Sequence, residues 1–200
     1  FTTPAGKVLT ITFVRHGSLA MSYDGKQIQV DPVSDYADYN AFPKADLILV
    51  THAHGDHLDL KAIEALRKEG TVVVANPASA EKIERPAAQV MRNGDKKTWE
   101  GIQIDAVPAY NTTEGRDKFH PKHRDNGYVL DFDGLRVYVA GDTEDIPELA
   151  ALKAIDVAFL PVNQPYTMTP EQAAKAARLI RPKVFYPYHY GETPVADTLP

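Results

Sequence analysis

The sequence predicts a layered α/β fold with mixed sheets, because three patterns alternate along the chain. Apolar and polar residues alternate between Leu9 and Phe13, which is the period of a half-buried strand. Later segments are continuously apolar, as expected of strands that are buried on both faces. Segments with helix-capping signals lie between them. We therefore expect sheets that are covered by helices.

The predicted strands begin with an antiparallel meander that turns at Asp24-Gly25. The meander ends at Val30-Asp31-Pro32, because proline cannot continue a strand ladder. Two tight turns, Asn93-Gly94-Asp95 and Asp133-Gly134, predict a second antiparallel section. Continuously buried strands are predicted at residues 47–50, 72–74 and 157–160.

Two helices are predicted from their capping residues. Asp59 is a suitable N-cap for a helix that should run until just before Gly70. Thr169-Pro170-Glu171-Gln172 combines an N-cap, a first-turn proline and a capping-box glutamine, and the helix it starts should end near Arg181-Pro182. Residues 112–126 are polar and charged, which predicts a long surface loop.

Length and composition predict one domain over residues 1–200, since 200 residues with 44% apolar content are enough for one substantial core. The net charge of −5 disfavours nucleic acid as a partner, and no apolar run is long enough for a membrane span. The absence of cysteine excludes thiolate sites, so any metal must be bound by imidazole and carboxylate groups. The oligomeric state stays open.

The first residues do not indicate a compartment. Phe1-Thr2-Thr3-Pro4 resembles neither an initiator methionine nor a signal sequence. A cytoplasmic protein and a protein exported after removal of its signal are both compatible with this start.

Three of the seven histidines lie in Thr51-His52-Ala53-His54-Gly55-Asp56-His57, directly after a predicted buried strand. Alternate residues of an extended chain point the same way, so His52 and His54 can bind one ion. Gly55 lets the chain bend, so that Asp56 and His57 can face a second ion. The alternative is a solvated histidine-rich turn. It is disfavoured, because four such groups at the end of a buried strand need a compensating cation.

Two further strands end in candidate ligands. A strand before Gly141 leads to Asp142, and residues 184–188 lead to His189. Taken singly, an aspartate after glycine is usually a turn residue and a terminal histidine is usually exposed. Together with the histidine-rich motif, they complete a plausible site for two ions.

This pattern resembles the metallo-β-lactamase superfamily, and more closely the branch that contains L-ascorbate-6-phosphate lactonase and N-acyl phosphatidylethanolamine phospholipase D. The resemblance extends from about Val8 to Gly191 and implies a four-layer αββα sandwich with two mixed sheets. The HxHxDH motif is the specific signal. The supporting segments are Arg15-His16-Gly17, Val30-Asp31-Pro32, Ala140-Gly141-Asp142-Thr143, Phe159-Leu160-Pro161-Val162, Tyr166-Thr167-Met168 and Tyr188-His189-Tyr190-Gly191.

The resemblance implies two divalent ions. Zinc is the favoured metal, and manganese and iron are alternatives. The resemblance also implies that Asp142 bridges the ions. The remaining ligands are divided between a first site, with His52 and His54, and a second site, with Asp56, His57 and His189.

One position departs from the family pattern. Relatives have a ligand histidine after a Pro-Ala strand end, whereas this chain reads Pro108-Ala109-Tyr110-Asn111. Because an amide is a poorer zinc ligand than imidazole, we expect His120 in the following loop to complete the first site. His123 is the less favoured substitute, and both histidines are alternatively exposed. Relatives also continue further beyond the last histidine, which leaves open that a short C-terminal element is lacking here.

The implied reaction is hydrolysis of an ester, lactone, amide or phosphodiester by a metal-bound hydroxide. Asp56 is expected to orient this nucleophile, and Asn111 to donate its amide to the developing oxyanion if it is not a ligand. His16 is either a neighbour of the metals that donates a proton or a packed histidine. Asp31 is expected to orient a ligand histidine.

The substrate is expected to be a small anionic molecule. Residues 116–124 form a basic loop in an acidic chain, and Arg116 and Lys118 are its candidate substrate-binding residues. The loop is alternatively an ordinary solvated face. Tyr166 and Tyr190 are candidates for lining the pocket, although tyrosines near a sheet more often belong to the core. Two other functions stay open: a metal-binding or sensing protein without turnover and, less favoured, a nuclease.

Overall fold

The computed structural model describes residues 1–84 and 87–190, which form two compact units that divide between Met91 and Arg92. Each unit contains one six-stranded mixed sheet. Gly191, the last residue of the predicted similarity, and the expected C-terminal element lie outside the described residues. Within the described ranges, no helix has the length and apolar character that crossing a membrane requires.

The sheet of the first unit begins as the predicted antiparallel meander and continues with parallel strands. Its strands lie side by side in chain order. Because β3 to β6 are parallel, their C-terminal ends lie at the same edge of the sheet. They are β1 (Leu9–Arg15), β2 (Ser18–Tyr23), β3 (Lys26–Val30), β4 (Leu47–Val50), β5 (Val72–Ala75) and β6 (Gln89–Val90).

Two short helices cover part of this sheet. Helix α1 (Leu60–Leu66) begins at its cap Asp59, whose carboxylate accepts the N–H of Lys61, and α2 (Pro77–Ala80) follows β5. The buried face of α1 packs against β4 and β5 in an apolar core. The prediction that α1 would run until just before Gly70 was wrong: the backbone of Arg67 is already extended, and Gly70 has a positive φ of 83° in the turn before β5.

The sheet of the second unit is antiparallel over its first four strands and parallel over its last three. The loop before β9 ends at residue 124, so Asn126, predicted in the loop, lies in a strand. The strands are β7 (Lys96–Trp99), β8 (Ile102–Ala109), β9 (Asp125–Phe132), β10 (Leu135–Val139), β11 (Val157–Pro161) and β12 (Val184–Tyr188).

Helix α3 (Pro170–Ile180) covers this second sheet. Its N-terminus has the predicted capping box between Thr169 and Gln172, and it ends at Arg181, which has a left-handed backbone. Ala173, Ala176 and Ile180 pack into a core that includes the fully buried Tyr138. The described part of the chain offers no hydrogen-bond partner to the Tyr138 hydroxyl, and burial raises the pKa of this phenol.

Candidate metal centre

The histidine-rich loop of the first unit follows β4 directly. Because β4 is buried along its whole length, it fixes the start of this loop at the sheet edge. His52 and His57 are fully buried, and their ring centres are 4.1 Å apart. His54 is half-buried, and its Nδ1 lies 3.1 Å from Nε2 of His52. The structure thus gathers the predicted HxHxDH histidines into one cluster.

Asp31 organises this cluster from the end of β3. Its buried carboxylate accepts the Thr51 N–H at 2.8 Å and the Thr51 hydroxyl at 2.6 Å. Its Oδ2 is also 2.7 Å from Nδ1 of His57. A carboxylate in this position holds the proton of His57 on Nδ1, which leaves the Nε2 lone pair available to a ligand-binding site. This contact is the one expected of a carboxylate that orients a ligand histidine.

Thr51, which sequence reasoning missed, fixes the second buried ring. Its hydroxyl proton is donated to Asp31, so its oxygen must accept from Nδ1 of His52, 3.0 Å away. The Nε2 atom of His52 then carries a lone pair and faces Nδ1 of His54. Two imidazole nitrogens that share one tetrahedral zinc ion lie roughly 3.3 Å apart. The 3.1 Å between Nε2 of His52 and Nδ1 of His54 therefore fits a proton or a metal cation between the two rings. Imidazole nitrogens are also suitable ligands for a metal ion.

Asp56 and His16 meet in the same unit. The Nε2 atom of His16 is 3.0 Å from Oδ2 of Asp56, and Nε2 of His57 is 3.7 Å from the same oxygen. The side chain of His16 is 3% exposed, whereas that of Asp56 is 41% exposed. The buried His16 side chain is thus within hydrogen-bond distance of the solvent-accessible carboxylate of Asp56.

Three residues of the candidate centre have a left-handed backbone conformation. His16, Asp31 and His189 have positive φ angles of 54°, 46° and 54°, a conformation that side-chain-bearing residues adopt at a cost. His16 lies in the two-residue turn between β1 and β2, and Asp24 and Asp133 also lie in hairpin turns, where this geometry is ordinary. Asp31 and His189 lie outside such turns. Strain kept outside turns is typical of functional sites, where it aims side chains.

The candidate ligands of the second unit surround Asp142, which follows β10 and is 2% exposed. Its Oδ2 is 3.2 Å from Nε2 of His120, and its Oδ1 is 3.4 Å from Nε2 of His189. One carboxylate thus has an imidazole at each oxygen. Gly127 on β9 permits this arrangement, because a Cβ atom there would lie 2.6 Å from the Ala140 carbonyl oxygen, just before Asp142.

The tautomer of His120 is set by the backbone. Its Nδ1 is 3.1 Å from the carbonyl oxygen of Tyr166, which can only accept, so Nδ1 carries a proton. In the neutral ring, the Nε2 lone pair then faces Asp142. A lone pair and a carboxylate repel each other unless the ring is protonated or a cation lies between them. His120 is therefore buried and aimed as a ligand would be, whereas an exposed loop histidine was the alternative.

The amide of Asn111 is hydrogen-bonded to backbone carbonyl groups. Its Nδ2 lies 2.7 Å from the Tyr166 carbonyl oxygen and 3.2 Å from that of Arg116. Because both neighbours are acceptors, this atom must be the nitrogen, and both its hydrogens are taken. The expected donation to an oxyanion stays a prediction, and it requires that one of these two hydrogen bonds breaks. The buried Oδ1 of Asn111 has no hydrogen-bond partner among the described residues, so Asn111 also offers an acceptor.

Glu144, a second residue that sequence reasoning missed, anchors the loop that carries His120. Its side chain is fully buried and accepts the N–H groups of Thr112 and Thr113 at 2.7 Å each. Burial raises the pKa of this carboxyl, but the N–H groups of Thr112 and Thr113 outweigh burial and leave the pKa below its usual value. No spacing in the sequence signals this contact.

Most cations of the basic loop have carboxylate partners. Arg116 lies 3.4 Å from Glu144, and Lys122 lies 3.2 Å from Glu148. Lys118 is exposed, and the described residues place no carboxylate within ion-pair distance of it. The other two candidates for substrate contact are also at the surface, since Tyr166 is 43% exposed and Tyr190 is 61% exposed.

A family model, the Beta-lactamase superfamily domain, matches residues 10–189 and so includes every candidate ligand in both units. The chain belongs to this family. The predicted superfamily and the α/β class with two mixed sheets are therefore confirmed. The closer branch of lactonase and phospholipase D stays a prediction, as does the single domain over residues 1–200.

Several relatives of this β-lactamase-superfamily chain are similar over nearly its whole length. A UPF0173 metal-dependent hydrolase of Thermococcus kodakarensis is 35% identical over 198 residues, which cover 94% of this chain and 87% of the relative. A UPF0173 metal-dependent hydrolase of Thermus thermophilus is 34% identical over 196 residues, which cover 94% and 86%.

Solved structures are similar as well. A crystal structure from Parabacteroides distasonis, assigned to the metal-dependent hydrolases, is 63% identical with a TM-score of 0.94 and covers 99% of this chain and 90% of that one. Igni18, a metallo hydrolase from Ignicoccus hospitalis, is 29% identical with a TM-score of 0.78 and covers 94% and 84%.

Proposed function

We propose that this chain uses two divalent metal ions to hydrolyse an ester, lactone, amide or phosphodiester bond of a small anionic molecule. Zinc is the favoured metal for both ions. The observation that carries the proposal is the fixed direction of the imidazoles. Asp31 and Thr51 hold protons on the far side of His57 and His52, and the Tyr166 carbonyl does the same for His120. The near nitrogens are thereby presented as ligands.

The coarser part of this function is established. Relatives named metal-dependent hydrolases are 31–35% identical to this chain over most of its length, which confirms the predicted enzyme class. The number of ions, their identity and the bond that is cleaved belong to the proposal.

The proposed ligands are those that the resemblance implies, with one substitution. His120 takes the position that Asn111 leaves vacant, because its imidazole is buried and points at Asp142. Asn111 supports it by donating to the same Tyr166 carbonyl oxygen. The full set is His52, His54, Asp56, His57, His120, Asp142 and His189.

When bound, the ions lower the pKa of coordinated water to about 7 and so supply a nucleophile at neutral pH. The chain's own residues position the reactants. Asp56 accepts and orients the water proton, since its carboxylate is partly exposed and is held by His16. The buried Oδ1 of Asn111 accepts a hydrogen bond from the substrate or from the leaving group once that is protonated.

Metal-reconstituted protein tests the proposal with a panel of esters, lactones, amides and phosphodiesters. We expect turnover of at least one class that chelator removes and that zinc, manganese or iron restores. His52→Ala should lack this activity, which excludes a contaminating hydrolase. Tight metal binding without turnover of any class would instead support a metal-binding or sensing protein.

The anionic substrate is tested by one substitution in the basic loop. Lys118→Gln should lower kcat/KM for anionic substrates and flatten its dependence on salt, because it removes an exposed positive charge. Lys122→Gln is the matched control, since its charge is already paired with Glu148. Equal losses for neutral and anionic substrates in Lys118→Gln would contradict steering by charge.

A further inference from the structure

Two aromatic rings of the second unit stand next to the proposed ligand His120. Phe119 precedes His120 in the chain, and its ring lies 5.0 Å from that of Tyr166, edge to face at 74°. Edge-to-face packing holds two rings in a defined orientation. The pair, which we name the aromatic wall, nevertheless stays accessible: Tyr166 is 43% exposed, and Phe119 is half-buried.

The aromatic wall is tied to the candidate centre through its backbone. The carbonyl oxygen of Tyr166 accepts from Nδ1 of His120 at 3.1 Å and from Nδ2 of Asn111 at 2.7 Å. The N–H of Tyr166 donates to the Asn163 carbonyl oxygen at 3.0 Å. An exposed ring on such a fixed backbone can bind a ligand with little loss of conformational entropy.

A cation lies at the wall. The Nζ atom of Lys118 lies 5.0 Å from the centre of the Phe119 ring, within the range of a cation–π contact. Arg116, the other candidate, is turned toward Glu144. An exposed aromatic pair with an ammonium group over one of its rings is complementary to a planar ring that carries a negative charge.

We propose that the substrate class is an aryl-bearing anion, whose ring packs on the aromatic wall while its anionic group lies beside Lys118. This inference rests on the proposed function, because it assigns the ring to the substrate of the same metal centre. Tyr166 and Phe119 then determine specificity, and the tyrosine hydroxyl is not required.

Binding of two phosphonates to the zinc-loaded protein tests the inference without turnover. Phenylphosphonate and cyclohexylphosphonate carry the same charge and differ in aromaticity, and calorimetry measures both affinities. We expect phenylphosphonate to bind about three- to tenfold more tightly, the range that aromatic pairing contributes. Tyr166→Leu should abolish this preference, and Tyr166→Phe should keep it. Every variant retains the backbone carbonyl that contacts His120.

Controls separate the contributions. Lys118→Gln should weaken both phosphonates and leave their ratio unchanged, and Trp99→Leu, at the end of β7, should change neither the ratio nor the metal content. Equal affinities in the wild-type protein, or a preference that persists in Tyr166→Leu, would overturn the inference. If the aryl preference is found while the hydrolase panel shows no turnover, the aryl-anion site stands and the proposed reaction fails.

Discussion

The two units supply their candidate ligands in different ways. In the first unit, His52, His54, Asp56 and His57 lie within six consecutive positions after one buried strand. In the second unit, the ligands come from the ends of β10 and β12 and from the loop that carries His120. A contiguous motif can be recognised by its spacing, because the strand before it already fixes its direction. A dispersed set acquires meaning only once the sheet brings its members together.

Within the contiguous motif, we expect that removing a ligand costs more than removing a residue that only positions a ligand. His57→Ala should lose metal and about a thousandfold or more of the hydrolytic activity, since a ligand is removed. Asp31→Asn keeps every ligand but weakens the hold on His57, and it should cost about 10- to 100-fold in metal affinity. Metal titration of both variants checks this order. Equal affinities for metal in Asp31→Asn and the wild type would show that the carboxylate only supports the fold.

In the dispersed set, two substitutions distinguish a metal ligand, His120, from a residue that only contacts the same backbone carbonyl, Asn111. His120→Ala should cost about one metal equivalent, because it removes the imidazole at Asp142. Asn111→Ala should cost little metal, since Asn111 only shares the Tyr166 carbonyl with His120. Elemental analysis after gel filtration measures both. Two tightly bound ions in both variants would contradict the assignment of His120 as a metal ligand.

Sequence reasoning predicted local features better than contacts between distant residues. The antiparallel meander, the buried β4 and the capping box of α3 follow from local patterns and are confirmed. The end of α1 was missed because Gly70 looks like a cap, while Arg67 leaves the helix first. Thr51 and Glu144 were missed for another reason. Their roles are hydrogen bonds to residues 20 and 31–32 positions away, which no local spacing encodes.

Glu144 gives a smaller effect that is confined to the second unit. Glu144→Ala leaves the N–H groups of Thr112 and Thr113 without their acceptor, and we expect a loss of about 2 kcal/mol in the free energy of unfolding. Hydrogen exchange should speed up at both amides. Glu148→Ala, which removes a more exposed carboxylate, is the control and should cost less. Unchanged exchange at Thr112 and Thr113 would refute the anchoring role.

The smallest effect is expected at Tyr138, which lies on β10 in the core that also contains residues of α3. Tyr138→Phe removes a buried hydroxyl that has no hydrogen-bond partner among the described residues. It should therefore raise the free energy of unfolding by up to about 1 kcal/mol and leave metal content unchanged. Thermal and denaturant unfolding test this. A destabilised variant would mean that the hydroxyl is satisfied in solution.

Metal content of Asp142→Ala is the most direct test of the central claim, that this chain binds two divalent ions and that Asp142 is a ligand of both. Asp142 belongs to the dispersed set, with a histidine at each oxygen, and the family resemblance assigns it to both ions. The wild-type protein should retain two ions per chain after dialysis. Asp142→Ala should lose most of both ions and most of the hydrolytic activity. Full retention of two ions in this variant would contradict the account.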